Sequence, residues 1–311
     1  MHTEFSAGMT SRSEFFTIEA KGVAAVRNLE IEKATRVSTF RKIAIGSWKT
    51  VGDPSVYGTM ELTMDRALDY IARFREQTGI RLTVSHLMAK AAGHAIVEVP
   101  EINSILRFNR IYHRKTIGIF FQVVMKDANG EIDLSGTTVY DVQHKDMPTI
   151  VREFEEKVTL VRERKDPNLE KTRGIFKHVP YLFMNAMMNI IGFLAYTLNL
   201  KLPGTARDPF GSMLITNVGS LGIDQAYVPL VPYSRVPIIL AIGATNKVPV
   251  VEDDEVVIRQ RLKVNATFDH RFIDGAHIAK MAEVFRRCFS DPETHFGPIP
   301  STHGALDVPS E

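Results

Sequence analysis

The chain carries, near its C-terminus, the stretch Phe268-Asp269-His270-Arg271-Phe272-Ile273-Asp274-Gly275. A β-branched run precedes it and an apolar stripe at helical spacing follows it, so the stretch is predicted to join a strand to a helix. Side chains at such junctions are exposed at the rim of a sheet, where sites are often built. A histidine there titrates near neutral pH and accepts a proton from a thiol or hydroxyl. His270 is therefore a candidate general base, although a purely structural histidine fits the same position.

A second junction of this kind lies earlier, in Ser212-Met213-Leu214-Ile215-Thr216-Asn217-Val218-Gly219-Ser220-Leu221-Gly222. Its apolar run ends at Thr216, and two glycines then supply a turn. A hydroxyl at such a place can donate to the oxyanion that develops on a carbonyl carbon under attack. Taken alone, a strand that runs into a glycine turn explains the same residues.

The rest of the chain predicts helices and strands that alternate. Apolar spacing and end signals predict helices over 65–77, 85–99, 148–164 and 275–289. Runs rich in β-branched and aromatic residues predict strands over 116–125, 212–217, 238–242 and 256–268. Long strands mixed with amphipathic helices indicate an α/β (α+β layered sandwich) fold, in which helices flank a mixed sheet.

One apolar segment, 180–203, stands apart from this pattern. Its length approaches the ~20 apolar residues that span a bilayer, but Asn185, Asn189 and Lys201 interrupt it. We expect a helix or helical hairpin that packs on the domain or on a neighbouring subunit. Peripheral contact with a membrane through 180–203, or a true span, are the alternatives.

Composition excludes several classes of function. The formal charge is +2, from 38 basic and 36 acidic residues, and this near balance favours neither a nucleic acid nor an anionic membrane as a partner. The single cysteine, Cys288, forms no internal disulfide and is compatible with a cytoplasmic protein. The remaining histidines lack metal-ligand spacing, so no metal is expected.

Together the two junctions resemble the catalytic domain of the dihydrolipoyl acyltransferases of 2-oxo-acid dehydrogenase complexes, in the chloramphenicol acetyltransferase-like superfamily. The pattern Asp-His-Arg-x-x-Asp-Gly at 269–275 carries most of the resemblance, and Phe40-Arg41-Lys42, 100–103 and 237–243 follow the family's order. The resemblance implies a catalytic domain over 35–292, with an apolar helical insertion at about 170–207. Residues 1–34 are then an N-terminal extension, too short for a lipoyl domain, and 293–311 a flexible C-terminal tail.

The resemblance also implies roles for individual residues. His270 is the expected general base, and Thr216, in place of the family's serine, is expected to stabilise the oxyanion. Asp274 is expected to pair with an arginine, for which Arg41 is the best candidate. Arg41, Asn217 and Gly275 are expected to support the site structurally, and Gly275 is expected to permit a turn with positive φ.

The implied reaction moves an acyl group between coenzyme A and a thiol, hydroxyl or amine acceptor. A lipoyl group, if it is the acceptor, is expected to come in trans on another chain. The resemblance implies a homotrimer or a multiple of trimers, with His270 of one subunit facing Thr216 of the next. Two alternatives remain: a non-catalytic trimeric scaffold of the same fold, and a membrane-associated acyltransferase that acts on a lipid-like acceptor.

Overall fold

The fold is described for residues 27–35, 53–126, 132–166, 180–203 and 205–300 of a computed structural model. Its strands are β1 (Ile31–Lys33), β2 (Ser55–Thr63), β3 (Ser104–Arg107), β4 (Arg110–Arg114), β5 (Gly118–Lys126), β6 (Ile132–Tyr140), β7 (Met213–Asn217), β8 (Ile238–Glu252) and β9 (Glu255–Asp269). Its helices are α1 (Asp65–Thr78), α2 (Val84–Glu98), α3 (Met147–Arg162), α4 (Tyr181–Gly192), α5 (Gly275–Ser290) and α6 (Pro292–Phe296). A π-helical turn (Phe193–Thr197) continues α4.

Six strands form the main sheet in the order β2-β9-β8-β7-β5-β6. The β5–β7 and β7–β8 pairs are parallel, and the other pairs are antiparallel. A second sheet contains β1, β4 and β3 in that order. The mixed α/β architecture predicted from the sequence is therefore confirmed.

The main core lies between one face of the large sheet and the helices. Successive side chains of β9 point to opposite faces of the sheet. Val264 and Phe268 therefore both enter this core, where they join Phe285 and Phe289 of α5. The opposite face of the sheet is covered by the segment 218–237, whose apolar side chains pack on β5, β7 and β8. Both faces of the central strands are therefore buried, which fixes the strand register that positions the site.

The elements predicted from local pattern agree with the structure to within about two residues at most ends. The structure adds β2, β6 and the small sheet, and it extends β8 from Ile242 to Glu252. Strand β2 escaped prediction because it is stabilised by pairing with β9, which lies about two hundred residues later in the chain.

Two boundaries differ from the expected domain limits. Residues 293–311 were expected to be a flexible tail, but residues up to Phe296 belong to α6, and Phe296 packs on Tyr70 and Phe289 in the main core. At the other end, β1 pairs with β4 and lies before residue 35. The folded unit therefore extends beyond 35–292 on both sides, because buried contacts rather than composition set its limits.

The apolar segment forms a single helix and a π-helical turn in the described part of the chain. Helix α4 has 12 residues, and the turn that follows it has five. Among the described residues, no helix combines the length and the apolar character that crossing a bilayer requires.

Candidate functional site

His270 lies in the tight loop between β9 and α5. Its backbone N–H donates to the carbonyl oxygen of Pro54 at 2.9 Å, which ties the loop to the start of β2. Phe272 and Ile273 are buried in the main core and hold the loop down. The Ile273 carbonyl oxygen therefore stands 2.7 Å from Nδ1 of His270. Because a carbonyl only accepts, Nδ1 carries the proton and Nε2 is the basic nitrogen of the neutral ring.

The residues on either side of His270 form a rigid ion pair. The Arg271 guanidinium donates to both carboxylate oxygens of Asp269, at 2.9 Å from Nε and 2.5 Å from Nη2. The backbone N–H of Arg271 donates to the same carboxylate. Arg235 lies nearby, where burial, with Arg271 as the next cause, lowers the pKa of its guanidinium. This bidentate pair fixes the backbone on both sides of His270.

Asp274 begins α5 as its N-cap. Its carboxylate accepts from the backbone N–H groups of Ala276 and His277 and lies 2.7 Å from Nδ1 of His277. These contacts satisfy orphan donors of the first helical turn. The expected partner, Arg41, lies outside the described residues, so its pairing with Asp274 stays a prediction.

Gly275 differs from expectation. It is the first residue of α5 and has no positive φ. A Cβ added there meets no described atom within 4 Å. The predicted left-handed turn is wrong because Asp274 in extended conformation already completes the change of direction before the helix starts.

Thr216 and Asn217 end β7 on opposite faces of the sheet. Thr216 shares its face with Leu214, which packs beneath the segment 218–237, and it is half-buried. The Asn217 side chain donates to Ser85 Oγ at 3.2 Å and accepts from the backbone N–H of Ser220 at 3.0 Å. Asn217 therefore joins the end of β7 to the start of α2. Ser85 could not be assigned to this site from sequence, since it precedes Asn217 by 132 positions.

Two glycines allow the loop after β7 to approach β8 closely. A Cβ on Gly219 would stand 2.3 Å from the carbonyl oxygen of Gly243, and one on Gly243 would stand 2.2 Å from the carbonyl oxygen of Asp224. Larger residues at either position would separate the two backbones. Next to this contact lies a cavity of about 270 Å³, lined by Val84, Asn217, Gly219, Ser220, Ile242, Gly243, Ala244, Thr245 and Leu262. None of the lining side chains is charged.

The strand register keeps the two predicted catalytic residues apart within one chain. Thr216 is level with Ala241 of β8, and Ala241 is level with Asn265 of β9, five positions before His270. At about 3.3 Å per residue and about 4.8 Å between strands, their Cα atoms lie roughly 19 Å apart. The structure therefore brings His270 together with Asp269, Arg271 and Asp274, and it places Asn217 beside the cavity. Thr216 lies on the opposite face of β7 and far from His270 within the chain.

The described ranges contain no group of three or more His, Cys, Asp or Glu side chains that could hold a metal ion. The only cysteine of the sequence, Cys288, is buried, and burial raises the pKa of its thiol to about 11. Such a thiol is a poor nucleophile at neutral pH.

Comparison with known families identifies the domain to which these junctions belong. The family of 2-oxoacid dehydrogenases acyltransferase (catalytic domain) matches residues 31–176 and 209–296. The match includes both junctions and leaves 177–208 unmatched, which is the segment that contains α4.

Individual relatives agree with this family. The dihydrolipoyllysine-residue acetyltransferase component of the pyruvate dehydrogenase complex from Rickettsia prowazekii is 24% identical over 244 residues, covering 77% of this chain and 49% of that protein. The corresponding component from Bacillus subtilis is 37% identical over 82 residues, or 26% of this chain and 18% of that protein. The chain thus spans about half the length, or less, of the curated relatives it matches.

Solved structures show the same fold. A probable dihydrolipoamide acetyltransferase from Listeria monocytogenes superposes with a TM-score of 0.57 at 18% identity, over 89% of this chain and 98% of that chain. The cubic core of a pyruvate dehydrogenase multienzyme complex superposes with a TM-score of 0.58 at 18% identity, over 84% of this chain and 93% of that chain.

Proposed function

Because this chain belongs to the family of 2-oxoacid dehydrogenase acyltransferase catalytic domains, we propose that it transfers an acyl group between coenzyme A and a thiol, hydroxyl or amine acceptor. The single observation that carries the proposal is the His270 loop. The Ile273 carbonyl oxygen holds the Nδ1 proton and leaves Nε2 as the basic nitrogen at the end of β9. A base in a fixed tautomer is the group that deprotonation of the acceptor requires.

In the proposed reaction, Nε2 of His270 removes the proton from a thiol or hydroxyl acceptor, or from an amine acceptor once its nitrogen has begun to bond to the carbonyl carbon. The acceptor atom then attacks the thioester carbonyl carbon of acyl-CoA and forms a tetrahedral intermediate. The Thr216 hydroxyl donates a hydrogen bond to its oxyanion. When the carbon–sulfur bond breaks, the imidazolium returns its proton to the departing CoA thiolate.

We propose that the complete site forms between subunits of a homotrimer or of a multiple of trimers. The separation of roughly 19 Å between the Cα atoms of His270 and Thr216 supports this arrangement, because their side chains cannot contact the same carbonyl group from one chain. A second copy that brings its β7 end to the His270 loop supplies the missing hydroxyl.

The cavity beside Asn217 supports a role in holding an uncharged part of a substrate. Its lining is apolar or neutral, with two glycines and two hydroxyl side chains among the lining residues. An acyl chain or the thiol-bearing arm of CoA fits such a lining, whereas phosphate groups need cationic partners. A lipoyl group carried by another chain is one acceptor of the right chemistry.

A thiol-release assay tests the proposal. Acyl-CoAs of increasing chain length are offered with dihydrolipoamide, alcohols and amines, both water-soluble and lipid-like. We expect CoA release with at least one pair, and His270→Ala should lower kcat/KM about 10²–10⁴-fold, the usual contribution of a positioned base. His144→Ala, at an exposed histidine outside the site, is the control. A folded wild type that releases no CoA from any pair favours the scaffold, and a fully active His270→Ala contradicts the mechanism.

A further inference from the structure

The segment that the family match leaves out, 177–208, forms a distinct surface. It contains α4 and the π-helical turn Phe193–Thr197.

The C-terminal end of this segment is fixed firmly to the small sheet. The Asn199 side chain accepts from the backbone N–H of Leu29 and donates to the Leu29 carbonyl oxygen at 3.0 Å. Arg107 donates to the carbonyl oxygen of Thr197 at 2.9 Å. Tyr196 is buried in a cluster with Leu29 and Ile105. The base from which α4 extends is therefore rigid.

Helix α4 itself presents apolar side chains to the outside. Leu182 is 85% exposed, and Phe183 and Ile190 are each 58% exposed. With Ala186 and Phe193, they follow the spacing of one helical face. Burial along the helix begins only at Gly192. An apolar stripe of this extent on an ordered helix indicates contact with an apolar partner.

The β3–β4 hairpin extends the same surface. Phe108, at its tip, is 64% exposed and meets the ring of Phe193 edge to face. Arg107 and the exposed Arg110 stand on either side of this tip. We call Leu182, Phe183, Ala186, Ile190, Phe193 and Phe108 together the apolar ridge.

The sequence on either side of the apolar ridge is basic. Between Glu170 and Asp208 the sequence contains no acidic residue, but it contains the basic residues Lys171, Arg173, Lys177, Lys201 and Arg207. No charged residue of either sign lies within 181–200. Of the basic residues that the structure describes here, Lys201 and Arg207 are exposed, and the Arg207 guanidinium lies 3.5 Å from the Glu30 carboxylate. Helix α4 lacks the charged polar face of most interfacial helices, but basic residues next to an exposed apolar face attract the anionic surface of a membrane.

We propose that the apolar ridge docks this protein on an anionic lipid bilayer, with α4 lying in the plane of the headgroups. At about 1.5 Å per residue, α4 is roughly 18 Å long, too short for the ~30 Å hydrocarbon core. A second copy seated ridge to ridge is the less favourable occupant, because that contact would bring two sets of basic flanks together. An anionic surface neutralises those same charges.

Flotation of the full-length chain with lipid vesicles tests this proposal. The vesicles contain phosphatidylcholine alone or with about 30% phosphatidylglycerol. We expect the wild type to float with the anionic vesicles and to float several-fold less with neutral vesicles or at high salt. The double variant Leu182→Glu/Ile190→Glu should lose at least tenfold in bound fraction, and Lys201→Glu about fivefold, since each basic residue near the surface contributes about that factor.

A matched control places the same two charges elsewhere. Val256→Glu/Ile258→Glu changes two exposed apolar side chains, 72% and 61% exposed, on the β8–β9 hairpin and should float as the wild type does. Thermal melting and molecular mass by light scattering are recorded for every variant. A wild type that stays unbound, or a ridge variant that still floats, overturns the proposal. A ridge variant that loses oligomeric mass, with no flotation of the wild type, assigns the ridge to a second copy instead.

Discussion

The orientation of the His270 ring follows from two apolar neighbours. Phe272 and Ile273 enter the core, and the carbonyl oxygen of Ile273 then faces Nδ1 at 2.7 Å. The Asp269–Arg271 pair holds the same loop from its other side. Small losses in these supports should therefore reduce the fraction of molecules in which Nε2 points correctly.

Thr216 provides a sharper test of the proposed chemistry. Thr216→Val keeps the volume and removes the hydroxyl, so it should lower kcat about 10²–10³-fold by loss of one oxyanion donor. Thr216→Ser keeps the hydroxyl and should retain most activity. Steady-state CoA release measures both variants. A Thr216→Val variant as active as Thr216→Ser would remove Thr216 from the mechanism.

His86 predicts how stability depends on pH. It is buried between Phe121 and Phe154, and burial, with Arg81 and Arg75 as smaller causes, lowers its pKa from 6.5 to about 4. The unfolded chain therefore binds a proton between pH 6.5 and 4 that the folded chain does not. Stability from this group is present above pH 6.5 and is lost as pH falls, by up to about 1.4 kcal/mol per pH unit.

The variant His86→Gln isolates this effect. Nδ1 of His86 lies 3.1 Å from the backbone N–H of Thr83, and glutamine can accept the same capping hydrogen bond without titrating. We expect the free energy of unfolding in urea to fall less between pH 7 and pH 5 in His86→Gln than in the wild type. His144→Gln, at an exposed position, should keep the wild-type slope. Equal slopes in all three proteins would contradict the assignment.

At the scale of elements, the start of α5 links stability to the site. Asp274 caps this helix. It directly follows Ile273, whose carbonyl oxygen accepts the hydrogen bond from Nδ1 of His270. The chain offers a matched pair here, because Asp146 caps α3 in the same way by accepting from the backbone N–H of Thr149 at 2.9 Å. Comparing the two caps separates the cost of losing a cap from the cost of moving His270.

We expect Asp274→Ala and Asp146→Ala each to lower the free energy of unfolding by about 1 kcal/mol. Only Asp274→Ala should also lower kcat, because the His270 loop then loses its support. Asp274→Asn, which keeps a capping oxygen, should recover most of the stability. Urea unfolding and CoA release measure the two effects. Equal activity in the two alanine variants would assign Asp274 to stability alone.

At the scale of the whole molecule, the order of the strands supports the proposal that the site needs more than one chain. Strand β9 runs antiparallel to β7. The C-terminal ends of the two strands therefore lie at opposite ends of the sheet, measured along the strand direction. His270 and Thr216 follow those two ends. A site that uses both residues therefore needs two copies related by rotation, as in a closed ring with heterologous contacts.

Mixed oligomers test this arrangement directly. His270→Ala and Thr216→Ala chains, each nearly inactive alone, are coexpressed in equal amounts. Random assembly should restore about one quarter of the wild-type activity per site, because an intact site needs His270 from one variant and Thr216 from the other. Mixing the two separately assembled proteins without exchange is the control. Activity no higher than the sum of the two variants would place both residues in one subunit.

Local pattern in the sequence determined much of this protein. The sequence predicts helices α1, α2, α3 and α5. In each of them, the apolar residues at helical spacing and the residues that begin and end the helix lie within a short stretch of sequence. The strand-to-helix junction at His270 and the strand end at Thr216 were predicted for the same reason. Strand β2 and the limits of the domain were not, because each depends on a partner far away in sequence.

The tertiary structure alone decided three matters. It fixed the distance between His270 and Thr216, since that distance depends on strand order and register across β7, β8 and β9. It showed that Gly275 needs no positive φ. It also exposed the apolar stripe of α4, which the sequence marks as apolar without revealing whether it is buried. The sequence shows which side chains are apolar, but only the packing of the folded chain determines which of them are buried.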